Sequence, residues 1–232
     1  MIVDTSQANP ALLDLYERPD QTIFLDANIL ISPDRSAFVN VKPFLFADYK
    51  KAILDPLLSE FSNMAIHESV YEELVGISVR EYVEEAIKAE PPRLAVHWDR
   101  DLNMAEQALM ATYIGKLAPH SLYDPAYDNA KDRGEIKSLS YMATKSYLYF
   151  AANDALPIRL VKDAERLQTG IGDLGIIQMY ELIYYLYSMR KYDTKQLRIM
   201  YKYLYYLTGR EKNENPDWGS FTTQMDCLYK RV

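Results

Sequence analysis

Four carboxylates occupy places in this chain from which they could act together. Asp26 closes the apolar run Thr22-Ile23-Phe24-Leu25 and is followed at once by Ala27-Asn28-Ile29-Leu30. This is the pattern of a buried parallel strand that delivers an acid to its carboxyl end. Glu73 lies in Val70-Tyr-Glu-Glu-Leu74, Glu135 opens Gly134-Glu-Ile-Lys-Ser-Leu, and Asp163 ends the apolar stretch Pro157-Ile-Arg-Leu-Val161. Acids crowded together repel one another and tend to protonate unless a cation joins them. Hard divalent ions such as Mg²⁺ or Mn²⁺ favour an all-oxygen donor set, and they support hydrolysis of a phosphodiester.

Each residue also has a plainer reading. Glu135 suits a helix start through the helix dipole, Asp163 could cap Ala164-Glu-Arg-Leu, and Glu73 is one of several helical acids. Their joint occurrence in chain order favours a shared site.

The elements that must position them alternate between strand and helix. Asn9-Pro10 predicts a capped helix over 10–18 that feeds the strand ending at Asp26. A helix over 46–61 is interrupted at Pro56. Strands are expected over 64–67, 93–98 and 157–161, with helices over 68–75, 79–89, 102–117, 133–150, 181–189 and 194–207. Residues 176–179 read equally as a fifth strand or a helix start. Ala118 to Lys131 is the longest break, and beyond Arg210 the composition is loop-like. Alternating strands and helices imply an α/β fold with a parallel sheet, and in such sheets Asp26 and Asp163 would open onto the same edge.

Leu25-Asp26-Ala27-Asn28-Ile29-Leu30, Val70 to Leu74, Gly134-Glu135 and Leu160-Val-Lys-Asp163 together resemble the PIN-domain nucleases, with Gly175 to Met179 and Glu181-Leu-Ile similar to the closing strand and helix. The resemblance, carried by residues about 20 to 190, implies a three-layer α/β/α fold with a central parallel sheet; the expected domain covers 1–190, with a C-terminal extension of Tyr-rich helices over 191–232 packed on it. It implies Mg²⁺- or Mn²⁺-dependent cleavage of single-stranded RNA. Asp26, Glu73, Glu135 and Asp163 would be metal ligands or their supporting acids, with Asn28 beside Asp26. Glu72 competes with Glu73, and the position before Leu matches better. The chain between Glu73 and Glu135 is longer than a compact member needs, and Lys162-Asp163 stands where Thr or Ser is common.

Composition sets the outer bounds. With 232 residues, 49% hydrophobic and 25% charged, the chain reads as globular. No apolar run approaches the ~20 residues that span a bilayer, and Asp4 without a basic start predicts no signal peptide. Single Cys227, with no Cys/His zinc spacing, points to a reducing, cytoplasmic setting. His67, His97 and His120 stand alone, as structural or solvated histidines do.

A net charge of −7 argues against general charge-driven nucleic-acid binding. From Arg190 onward, however, nine Lys/Arg face five Asp/Glu, so this tail carries +4. Arg198, Tyr201 and Lys202 lie in a stretch that interleaves aromatic and basic groups, a candidate platform for an RNA strand. The alternative is a core stripe on Leu197, Met200, Leu204 and Leu207. A second copy or an inhibitory protein is a third candidate occupant. The competing functional readings are a catalytically silent scaffold that uses those helices, and a DNA nuclease or phosphatase that uses the same acids.

Overall fold

The computed structural model describes residues 2–36 and 41–230. The chain divides into two compact units, one comprising Asp20–Ile31 with Phe61–Ile177, the other Met1–Pro19, Ser32–Glu60 and Gln178–Val232. No helix among the described residues is long and apolar enough to cross a membrane.

The first unit holds a five-stranded, all-parallel sheet: β1 (Ile23–Leu25), β2 (Met64–His67), β3 (Leu94–His97), β4 (Tyr149–Ala151) and β5 (Gly175–Ile177), in the order β3-β2-β1-β4-β5. The register pairs Phe24 with Ala65 on one side and with Phe150 on the other. β1, β2 and β4 are buried along their whole length, which is why they appear as continuous apolar runs. Side chains alternate between the two faces. Phe24, Ala65, Phe150 and Ile176 join Leu117, Ile136, Leu139 and Leu160 from the flanking helices in one core. Ile23, Leu25, Ile66 and Ile177 are equally buried on the opposite alternation.

Two expectations for this unit need correction, and one open reading is settled. The helix expected over 133–150 spans Arg133–Lys145 and stops at Ser146, whose left-handed backbone (φ 58°) turns the chain into β4. Residues 157–161 form no strand; they belong to the helix Ala155–Lys162, which buries Pro157, Leu160 and Val161. Pro157 sits in its first turn, where the missing N–H would have had no helical partner. The ambiguous stretch resolves as β5, followed by a helix over Met179–Ser188 whose Gln178 and Glu181 form a capping box.

The second unit is helical. Pro10–Glu17 starts with the Asn9 cap and with Pro10 in its first turn. Ahead of Pro56, the helical segment widens into a π-helical turn over Lys50–Leu54, as fits a proline with no N–H to donate and a ring that crowds the preceding turn. The helices after residue 190 group with Pro10–Glu17 and with residues 46–60. Nor is the chain loop-like beyond Arg210. Gly209–Glu214, with a Thr208/Glu211 capping box, and Trp218–Tyr229, capped by Asp217, are helices.

Candidate metal centre

The carboxyl edge of the sheet gathers the acids. Asp26 follows β1 directly and caps the short helix Ala27–Leu30, its Oδ1 accepting from Ala27 N–H at 2.8 Å. Its own N–H donates to the carbonyl of Ala151 at the end of β4. Asn28 donates its side-chain amide to Asp26 Oδ2, while its Oδ1 accepts from Asn153 N–H at 2.9 Å. One asparagine thus joins the ends of two neighbouring strands and orients the Asp26 carboxylate.

Asp26, Glu135 and Asp154 each offer an oxygen, and these oxygens lie within 4.8 Å of one another. Asp154 occupies the cap position of Ala155–Lys162, yet its side chain makes no cap hydrogen bond. Glu73 ends the helix Glu68–Glu73, and its Oε1 accepts from Gly134 N–H at 3.0 Å, which places it beside Glu135. Glu72, the competitor, points to Arg133 instead, at 2.6 Å.

The electrostatics are those of a crowded acidic cluster that Arg133 and Lys131 offset only in part. Asp26 is only 2% exposed. Burial, then the nearby charges of Glu135 and Asp154, push its carboxyl well above the usual range. Burial followed by the charge of Glu135 pushes Glu73 up to about 7. Glu135 is raised as well, burial again leading. Among the described residues none of the four makes a salt bridge with a Lys or Arg. Such a set is stable when it holds protons or a divalent cation, and its all-oxygen chemistry fits Mg²⁺ or Mn²⁺.

Asp163 is not among them. It ends the helix that Asp154 begins, about 12 Å further along for eight residues at ~1.5 Å each. Its carboxylate pairs with Arg166 at 2.5 Å. The carboxylate that the sheet does deliver is Asp154, which lies ahead of the stretch 157–161. Its signal was Asn153-Asp154 ahead of Ala-Leu-Pro, a helix-start pattern directly after a short apolar run.

His67 does not stand alone. It is fully buried, with Nδ1 2.7 Å from Ser69 Oγ and Nε2 2.9 Å from Asp99 Oδ1. It caps Glu68–Glu73 by accepting from Ser69 N–H, so its ring fastens the start of the helix that carries Glu73.

In the helical unit, Tyr201 is fully buried, stacks on Phe221 at 4.3 Å and donates to the carbonyl of Pro216. It therefore has no face to offer a base. Tyr180, Tyr184, Tyr185 and Tyr205 are buried too, so the aromatic wealth of this region builds its core. Arg198 and Lys202 remain exposed on the helix Thr194–Tyr205. Comparison with known proteins finds no matching family model, no matching curated protein and no matching solved structure.

Proposed function

We propose that this protein is a metal-dependent ribonuclease of PIN-like, three-layer architecture that hydrolyses single-stranded RNA. The observation that carries the reading is the convergence of Asp26, Glu135 and Asp154 at the carboxyl edge of a parallel sheet with no Lys or Arg paired to them. In open α/β sheets that edge is where ligands bind. Chain order supports the PIN resemblance once Asp154 replaces Asp163, since the strand-terminal acid then follows β4, the neighbour of β1.

Asp26, Glu135 and Asp154 would hold Mg²⁺ or Mn²⁺, with Asn28 fixing Asp26 and Gly134 N–H fixing Glu73. Such an ion neutralises charge on a phosphodiester and makes water a better nucleophile near neutral pH. Without the ion, burial and the charge of Glu135 push Glu73 up to about 7, so it would give up a proton as the ion binds.

The test is cleavage of a mixed single-stranded RNA by wild type and Asp26→Asn, each with Mn²⁺ and with EDTA, alongside a matched DNA strand. Cleavage of RNA by wild type with metal alone is expected. If wild type does not cut and calorimetry detects no Mn²⁺ binding, the enzyme reading is lost.

A further inference from the structure

The unit that carries the acid cluster also holds an open recess of about 510 Å³, a size typical of sites that take a small ligand. Its lining is mixed. Arg159 and Arg166 supply guanidiniums, while Leu122, Leu156 and Leu167 supply apolar walls. Leu122 is 68% exposed. Two elements tie the recess to the acids. Leu156 lies two residues past Asp154 on the same helix, and Asp132, also in the lining, precedes Glu135 by three residues and adds its charge to both Glu73 and Glu135.

The guanidiniums are held without being used up. Arg159 donates one N–H to the carbonyl of His120 at 2.6 Å, and Arg166 donates one to Asp163 at 2.5 Å. Guanidinium carries five N–H donors, so each can still engage an anionic oxygen, for which its planar fork is well matched. A simple anion would need only the arginines. The leucines add a surface suited to the flat face of a base.

We propose that this recess is a nucleotide subsite, in which Arg159 and Arg166 take a backbone phosphate and Leu122, Leu156 and Leu167 take a base of the strand cut at the acid cluster. The proposal rests on the ribonuclease reading, and it identifies where a nucleotide flanking the cut site is held. Asp163, though remote from the metal centre, orients Arg166 within the subsite.

The test is binding of 5′-phosphorylated uridine dinucleotide to the full chain in EDTA, so that it is independent of cleavage. The Arg159→Ala/Arg166→Ala variant should bind about tenfold or more weakly, and Leu122→Ser a few-fold more weakly, on the scale of a lost charged contact and a lost base contact. Both changes lie on the surface, and an unchanged Tm verifies the fold. No binding by wild type, equal binding by the arginine variant, or inorganic phosphate binding as tightly as the dinucleotide would each overturn the subsite. In Mn²⁺ the arginine variant should raise KM about tenfold and leave kcat within about threefold. A wild type that binds but never cuts retains the subsite and removes the nuclease. A variant that cuts with unaltered KM does the reverse.

Discussion

Gly134 gives its backbone N–H to Oε1 of Glu73, and a Cβ at position 134 would stand 2.5 Å from that same oxygen. The glycine is needed for closeness, since only a residue without a side chain lets the carboxylate reach the backbone. Gly134→Ala should displace the Glu73 carboxylate and weaken Mn²⁺ binding about tenfold, the scale of a lost orienting contact. Helix propensity favours alanine by up to ~1 kcal/mol, so Tm should hold or rise slightly. Calorimetry and a thermal melt on the same sample check both halves.

Asp26→Asn should separate stability from function. Without metal, the change removes a buried charge from a set of like charges, so the variant should be more stable by about 1 kcal/mol, or a few degrees in Tm. With Mn²⁺ the order should reverse, because only wild type gains binding energy. Cleavage should fall at least ~100-fold, beyond the range of a lost supporting contact. Melts with and without Mn²⁺ give the crossover.

Asp154→Asn and Asp163→Asn make a matched pair at the two ends of one helix. The first should abolish Mn²⁺ binding. The second should leave Mn²⁺ affinity within about twofold, because Asp163 is engaged with Arg166 and its end of the helix is ~12 Å away. Equal loss in both would remove Asp154 from the centre.

The raised Glu73 carboxyl sets a pH window. Its ordinary value is 4.5 and its folded value about 7. Between these limits the folded state binds more protons than the unfolded one, so metal-free stability should fall as pH rises from about 4.5 to about 7. Glu73→Gln should flatten that slope in melts taken across the window. Affinity for Mn²⁺ should rise over the same range in wild type, because protons compete for the carboxylates.

In the helical unit the sign is opposite. Burial would raise the Glu211 carboxyl, but the Arg35 guanidinium at 2.5 Å and the N–H groups of Thr208 and Leu207 outweigh it and hold the group at about 2. The stability it contributes is full above about 4.5 and lost as pH falls toward about 2. Glu211→Gln should cost about 1–2 kcal/mol at pH 7, after allowing for solvent screening. The difference from wild type should vanish near pH 2 in urea titrations.

Much of this was legible in the sequence where local chemistry and burial agree. Leu25-Asp26, Met64 to His67 and the Asn9-Pro10 start carry patterns that packing reinforces, and Glu135 opens its helix as its charge suggests. The failures have physical causes too. β4 has three residues, and the helix before it ends on a serine in the left-handed region, so no glycine marks the stop. Ile158, Leu160 and Val161 read as a strand, but they are the inward face of an amphipathic helix. That one misreading moved the expected acid from Asp154 to Asp163. Between the two readings of the Tyr201 helix, the core stripe holds for Leu197, Met200 and Leu204, and the partner of Tyr201, Phe221, lies in a helix whose polar composition reads as loop.

Asn28 and Asn153, whose contact ties β1 to β4, are 125 positions apart in the chain. As the polypeptide leaves the ribosome at roughly 5–20 residues per second, Asp26 and Glu73 emerge well before Asp154. A nascent chain or fragment ending ahead of β4 carries three of the four acids, Asp26, Glu73 and Glu135, and lacks the strand that delivers Asp154. The set of Asp26, Glu135 and Asp154 is therefore completed late in synthesis, when the fourth strand docks beside the first.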